Sequence, residues 1–432
     1  MKIQIPSVPH LLHIETTYAC NQKCLFCYNP YRDRIVDQNT IKRIVNAVYR
    51  AWVPHVYLIG GEPSLLGTKT LNGYIETLSQ RSSVTIVTNG QIYLNDLSDN
   101  LACIGIPLHG LKKTHDRLAN KAGSFEKALF SINHYVGRGF DVRCIPVLTK
   151  ANFNQMFAVI RLAKDLGMES VFVDRYEDGG IGSSRSADLK PTFEQFKIAL
   201  DQMIKARDKF SIPVGWGTAI PFCLDERLID DDMGADCGAG VTFCAVDPTG
   251  NLRVCNQSER VYGNVLEEPI EKIWHKPSLA EFRDLKWVEK PCLRCHLLLK
   301  CLCGCKVDAS YSPTFCIDYA VREMGDNVNI RKPSKRRKKD EAASIPKFYR
   351  NFQVNRYTRL NKAHREHYLV TRYQTVEIDE TGEYLLKQIL NGETSEKSLI
   401  TKNLAVLEAG EVRKLISSLE KVGAIDCTGG QP

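Results

Sequence analysis

Cys20, Cys24 and Cys27 stand at CxxxCxxC spacing in the stretch Ala19-Cys20-Asn21-Gln22-Lys23-Cys24-Leu25-Phe26-Cys27-Tyr28. Thiolates this close in sequence can converge on one metal centre. A [4Fe–4S] cubane normally takes one protein sulfur per iron, so a set of three leaves one iron open. An open coordination position is where a small molecule can be bound and activated, whereas a fully ligated centre is structural or carries electrons. Zinc also accepts thiolates at short spacing, and a zinc knuckle or a group of buried thiols fits the triad taken alone.

A second set lies downstream, at Cys237, Cys244, Cys255, Cys292, Cys295, Cys301, Cys303, Cys305 and Cys316. Of the 16 cysteines, ten fall within 223–316, a crowding that uniform use as core residues does not produce. The N-terminus has no apolar signal region, and no run approaches 18 uncharged apolar residues, so neither a secretion signal nor a membrane span is expected. The expected compartment is the cytoplasm, where metal explains so many cysteines better than disulfides do. Cys103, Cys144, Cys223 and Cys427 are read as ordinary apolar thiols.

At 432 residues the chain has room for two or three domains, and 43% apolar with 25% charged residues describes an ordinary globular protein. Its net charge of +8 is local, because seven basic residues and no acidic one occupy 331–339. That segment reads as a solvated tether. It is also the one feature that speaks for nucleic acid, with Phe348, Tyr349, Phe352 and Tyr357 as the nearest aromatics for base stacking.

The elements that must carry the first triad are strands and helices in alternation. Leu11 to Thr16, Val56 to Ile59, Val84 to Thr88, Cys103 to Leu108, Val142 to Leu148 and Val171 to Asp174 read as six strands buried on both faces. Ile41/Ile44/Val45/Val48, Phe125/Ala128/Leu129/Ile132 and Met156/Val159/Ile160/Ala163 show helical spacing between them. This alternation predicts an α/β fold with a parallel sheet and right-handed crossovers, a partial (β/α)6 TIM-like barrel. Ligands bind at the C-terminal ends of such strands, and the loop after the first strand holds Cys20 to Cys27. The next strand runs into Gly60-Gly61-Glu62-Pro63, where glycines permit close backbone approach and a carboxylate can pair with an ammonium group. Thr88-Asn89-Gly90 follows the third strand.

With Phe26 before its third cysteine, the triad resembles the signature of the radical S-adenosylmethionine (SAM) enzymes. Gly60-Gly61-Glu62 resembles that family's GGE motif, and Thr88-Asn89-Gly90 its usual third-strand ending. The resemblance implies a SAM-binding [4Fe–4S] cluster on Cys20, Cys24 and Cys27, and reductive cleavage of SAM to a 5′-deoxyadenosyl radical. It implies SAM contacts from Phe26, Tyr28, Gly60, Gly61, Glu62 and Asn89, and an electron donor of the reductase or flavodoxin type. The fourth strand departs from the pattern, with Pro107-Leu108-His109-Gly110 where relatives often carry Ser-Leu-Asp-Gly. No catalytic acid or base is assigned. His109 and His115 lie near the expected active-site edge and are candidates, with polar loop residues as the favoured reading.

The downstream cysteines resemble the SPASM extension of radical SAM peptide-modifying enzymes. By that resemblance Cys237, Cys244, Cys255 and Cys305 would hold one auxiliary [4Fe–4S] cluster, and Cys292, Cys295, Cys301 and Cys316 a second, with Cys303 able to substitute in either. The turn Asp247-Pro248-Thr249-Gly250-Asn251 is expected to bring Cys244 and Cys255 together. A zinc-ribbon-like module is the alternative.

From about 366 the pattern suggests a hairpin (His367 to Tyr373, Thr375 to Ile378) and helices near 380–390, 395–403 and 409–422. This small winged-helix module is similar to the PqqD-like elements that bind leader peptides of ribosomally made, modified peptides, and a generic winged helix is the plainer reading. The expected domains are a barrel over 1–220, a two-cluster domain over 221–325, a basic linker over 326–364 and the peptide-recognition module over 365–432. The implied function is modification, most simply cross-linking, of a precursor peptide. A sulfatase-type maturase, a small-molecule dehydrogenase and a non-enzymatic iron–sulfur or zinc protein are the rivals.

Overall fold

The computed structural model describes residues 3, 5–230, 233–285, 288, 292–306, 318, 321, 351–363, 366–372, 374–403 and 407–428. The expected ligand Cys316 and the basic segment 331–339 lie outside the described residues.

A parallel sheet is built from β1 (Leu11–Glu15), β2 (His55–Ile59), β3 (Ser83–Val87), β4 (Cys103–Ile106), β5 (Val142–Cys144), β6 (Val147–Leu148), β7 (Ser170–Arg175) and β8 (Val214–Trp216). Its neighbours run β1-β2-β3-β4-β5-β7, with β6 and β8 both parallel to β7. The fifth expected strand, Val142 to Leu148, is therefore two short strands. Outward side chains such as Leu12, Ile14, Val56, Leu58, Val84 and Ile86 are fully buried. They share one core with the apolar stripes of helices Gln38–Arg50, Thr68–Leu78, Ser124–Gly137, Met156–Asp165 and Phe193–Phe210.

The inward face is not apolar as expected. His13 on β1 stacks on Tyr57 of β2, with ring centroids 5.1 Å apart, and the Arg143 guanidinium on β5 donates to the Tyr57 hydroxyl at 3.2 Å. In a flat sheet β2 and β5 lie about 14 Å apart, three strand spacings. That short bond therefore requires the sheet to roll toward a barrel. Phe172 of β7 completes the lining under the Arg143 guanidinium.

The cysteine-rich region continues this sheet. β9 (Phe243–Val246) pairs parallel to β1, and β10 (Asn251–Arg253) and β11 (Val261–Asn264) follow antiparallel. Two ion pairs tie the regions. Arg253 reaches Glu15 at 2.6 Å, and Arg175 on β7 binds Asp318 through both terminal nitrogens at 2.6 and 3.0 Å, with both side chains fully buried.

The C-terminal module begins earlier than 365. β12 (Asn351–Val354) pairs with β16 (Ile425–Thr428), and β13 (Arg359–Ala363), β14 (Glu366–Val370) and β15 (Thr375–Glu377) form an antiparallel sheet. Helices Glu380–Leu390, Glu396–Asn403 and Ala409–Lys421 pack on it. Residues 351–363 of the expected linker are thus strand and turn. Phe352 and Tyr357, counted above as stacking aromatics, are buried.

Period-two alternation lets β14 serve two cores. Leu369 enters the module's core, while Tyr368 and Val370 pack on Val8 and Trp52 at the base of the barrel. The polar contacts fall just ahead of the strands. Ser83 donates to the Arg372 carbonyl, Tyr357 to the Leu101 carbonyl, and Asn361 to the Trp52 carbonyl. Arg372 donates to the Ala102 carbonyl and pairs with Asp141. The module covers the N-terminal ends of β1 to β5, opposite the cysteine loop.

Candidate active site and auxiliary cysteines

The loop after β1 has no regular structure between Thr16 and Asp37 and is fixed by neighbours on every side. Backbone N–H groups of Gly61 and Glu62 donate to the carbonyls of Thr17 and Ala19 at 2.6 and 2.8 Å. A Cβ on Gly61 would lie 2.1 Å from the Ala19 oxygen, so only glycine allows this contact. The close approach foreseen for a ligand is thus made to the cysteine loop itself. From the far side Gly180, at φ +54°, packs where a Cβ would meet the Tyr28 carbonyl at 1.9 Å. The Asn29 amide donates to the Tyr18 carbonyl and accepts from the Tyr31 N–H, while its own backbone N–H donates to the Cys27 sulfur at 3.4 Å.

These contacts gather Cys20, Cys24 and Cys27 within electrostatic reach of one another. Burial pushes the Cys20 thiol up to about 11 and Cys24 higher still. Neither is a thiolate at neutral pH on its own account, so deprotonation must be coupled to a cation. Among the described residues no three His, Cys, Asp or Glu side chains converge closely enough for one metal ion. Soft thiolates are the donors that iron–sulfur clusters take, and Cys20, Cys24 and Cys27 are the residues that would hold one.

The residues expected to touch SAM converge here, in roles the sequence did not give them. Glu62 is 1% exposed. Its carboxylate accepts from the Ser64 N–H at 2.9 Å, the Thr88 hydroxyl at 2.6 Å and the Asn89 N–H at 2.7 Å. Burial raises its pKa although these donors pull it down. Asn89 donates through its amide to Asn21 at 2.7 Å and lies 3.8 Å from the Cys20 sulfur. Tyr28 donates to the Gly60 carbonyl at 3.4 Å, and Phe26 meets the His109 ring edge-on at 4.7 Å. Glu62 and Asn89 thus brace the loop against β2 and β3.

His109 and His115 are interior. Nδ1 of His109 accepts from the Val147 N–H at 3.2 Å, and Nδ1 of His115 accepts from the His109 N–H at 3.2 Å. Both rings are therefore neutral with the proton on Nε2. Burial agrees, holding His109 well below the usual histidine range and His115 down at about 4. They act as polar ties between loops.

Downstream, Cys237 and Cys255 lie within reach of each other and of Glu177, and the Lys306 ammonium faces Cys237, Cys303 and Cys305. The turn at Asp247 forms as expected, with its carboxylate accepting from Thr249 and Asn251. Cys244 shares a face with Val246 and Leu12, beside the Arg283 guanidinium, whereas Arg253 points to the other face, toward Glu15. Cys255 lies two residues beyond the end of β10 and packs against the core that contains Cys237, Cys244 and Cys305.

Cys292, Cys295 and Cys301 line one cavity, together with Cys303 and with Cys223, which the sequence reading set aside. The missed signal was the crowding itself, since Cys223 is the first of the ten cysteines in 223–316.

Residues 14–163 match the model of the Radical SAM superfamily, and residues 237–296 that of the SPASM iron–sulfur cluster-binding domain. Mycofactocin maturase MftC of Mycobacterium tuberculosis is 26% identical over 313 residues, covering 69% of this chain and 78% of that protein. The PqqA peptide cyclase of Methylocella silvestris is 24% identical over 314 residues, covering 68% and 82%. The crystal structure of Streptococcus suis SuiB bound to precursor peptide SuiA superposes with a TM-score of 0.59 at 18% identity, covering 72% of this chain and 75% of that one. No helix among the described residues is long and apolar enough to cross a membrane. The chain is thus a radical SAM enzyme with SAM and iron–sulfur clusters as cofactors, its radical SAM domain followed by a SPASM domain.

Proposed function

We propose that this enzyme modifies, most simply by cross-linking, the side chains of a ribosomally made precursor peptide. The observation that carries this reading is the arrangement of the barrel. Its C-terminal mouth is organised around the three-cysteine loop, and its base is covered by a module with open sheet edges. When bound, the cluster and SAM supply a 5′-deoxyadenosyl radical able to take a hydrogen atom from an unactivated carbon.

The chain's own residues do the rest. The backbone of Gly60 to Glu62 and the side chains of Glu62 and Asn89 hold the cysteine loop rigid, and the 176–182 segment packs over it. One auxiliary cluster would be held by Cys237, Cys244, Cys255 and Cys305, which share one core. The second would be held by Cys292, Cys295 and Cys301 with a fourth sulfur, given by the resemblance as Cys316. The relatives and the structural neighbour named for a peptide or its maturation support a peptide substrate.

We read the C-terminal module as PqqD-like. β13 and β15 are the outer strands of its sheet, and an extended leader can add to such an edge by main-chain hydrogen bonds. The enzyme would work in the cytoplasm with a flavodoxin-type electron donor. Burial of Phe352 and Tyr357 removes two of the aromatics on which a nucleic-acid role leaned. The test is anaerobic reconstitution with dithionite and SAM. Release of methionine and 5′-deoxyadenosine is expected, together with a mass loss of two hydrogens in a precursor peptide encoded beside the gene. Turnover of SAM with no change in any such peptide refutes the substrate class and leaves the radical chemistry standing.

A further inference from the structure

We infer that Cys223 is a thiolate ligand of the second auxiliary cluster, alongside Cys292, Cys295 and Cys301. The inference rests on the reading that 223–316 holds auxiliary clusters, and it changes that cluster's make-up, because the family resemblance gives the fourth position to Cys316.

The first ground is placement. Cys223 lines the same cavity as the other three and lies within electrostatic reach of all of them. It comes from a different part of the chain, the turn Phe222–Leu224 between β8 and the cysteine-rich region. Close packing holds that turn where it is. The Phe222 N–H donates to the Cys301 sulfur at 3.5 Å, and the Phe222 ring packs with Leu297 and Cys301. Two glycines leave room for it. A Cβ on Gly234 would lie 2.3 Å from the Phe222 ring, and one on Gly304 would lie 2.6 Å from Pro221.

The second ground is the donor set. Among the described residues five cysteines line the cavity and every other lining residue is apolar, so the side-chain donors they supply are soft sulfurs, which select iron–sulfur clusters over hard cations. Backbone N–H groups are already aimed at two of them, from Phe222 to Cys301 and from Leu297 to Cys295 at 3.3 Å. Such bonds stabilise thiolate and tune cluster potential. Cys303 and Cys292 are hydrogen-bonded to each other, whereas Cys223 reaches Cys292, Cys295 and Cys301 from a separate segment of the chain.

The test compares the anaerobically reconstituted full chain with its Cys223→Ala and Cys316→Ala variants. Iron and acid-labile sulfide are counted, the dithionite-reduced clusters are followed by electron paramagnetic resonance, and methionine release from SAM is assayed. Wild type should hold about twelve irons in three clusters. Cys223→Ala should lose about four of them and one reduced-cluster signal while still releasing methionine, which shows an intact barrel. Full iron and an unchanged spectrum in Cys223→Ala, with the loss appearing in Cys316→Ala instead, overturns the assignment. If Cys223→Ala does not fold, Cys223→Ser decides. A retained cluster with a shifted signal supports ligation, and an unshifted one refutes it. Wild type with only about four irons removes the auxiliary clusters themselves, and this assignment with them.

Discussion

At the C-terminal ends of the strands the chain uses glycines, a buried carboxylate and side-chain amides to pin an irregular loop. At the N-terminal ends it uses a separately built sheet, seated by aromatic and aliphatic contacts and by hydrogen bonds to backbone carbonyls. The mouth has almost no secondary structure of its own, and each of its parts is held by a partner distant in sequence. The base is closed by a module with its own core of Leu385, Leu386, Ile389, Val412 and Ile416. The chemistry therefore depends on a few irreplaceable contacts, whereas the docking is spread over many replaceable ones.

Substitutions at the two ends should differ accordingly. Cys24→Ala should abolish methionine release, a loss of at least about a thousandfold in the same assay, because one sulfur of three is gone. Peptide binding at the base should be unaffected, as titration calorimetry would show. Glu62→Gln should lower SAM cleavage by about ten- to a hundredfold. The new amide has one acceptor oxygen where the carboxylate had two, so it cannot serve both the Ser64 and Thr88 donors and the Asn89 N–H, and a buried unsatisfied donor costs about 1–3 kcal/mol.

Asp174, near the mouth on β7, tests the interior in another way. Burial raises its pKa to about 7, so the folded state holds a proton that the unfolded chain releases near pH 4. Stability should fall as pH rises through that window, by about 2 kcal/mol between pH 5.5 and 7.5. Chemical denaturation should show this slope in wild type and its absence in Asp174→Asn. The smallest effect belongs to the base. Arg372→Ala removes the pairing with Asp141 and the bond to Ala102, and about tenfold in KM for a tethered peptide is expected, with methionine release unchanged. A large fall in SAM cleavage for this variant would break the distinction between the ends.

What was legible in the sequence was local. CxxxCxxC, Gly60-Gly61-Glu62 and the apolar runs of the strands depend on neighbours a few residues away, and they fell in the expected places. Contacts closed over long separations were harder to read. β12 pairs with β16 across more than seventy residues of intervening chain, and nothing in Asn351–Val354 advertises its partner, so the tether was drawn too long. The inward faces were misjudged because Tyr57 and Arg143 meet only after the sheet has rolled. Helix Thr68–Leu78 was passed over although Leu71, Ile75 and Leu78 carry its stripe. Glu62 and Asn89 fell where expected beside the cysteine loop, but their bonds to Thr88 and Asn21 join residues far apart in the chain and could not be read from the sequence.

The placement of the small module below the strands has a consequence for whatever it grips. A strand of five residues is about 17 Å long, and the surrounding helices add roughly another 10 Å of wall. A chain held beneath the barrel and reacting above it must travel that route in extended form at about 3.4 Å per residue. On the proposed reading, in which the module grasps a peptide leader, the substrate would need a spacer of roughly eight or more residues between the stretch that is grasped and the side chain that is changed. Shortening that spacer in steps should extinguish modification abruptly, the way a rope too short for its pulley fails all at once.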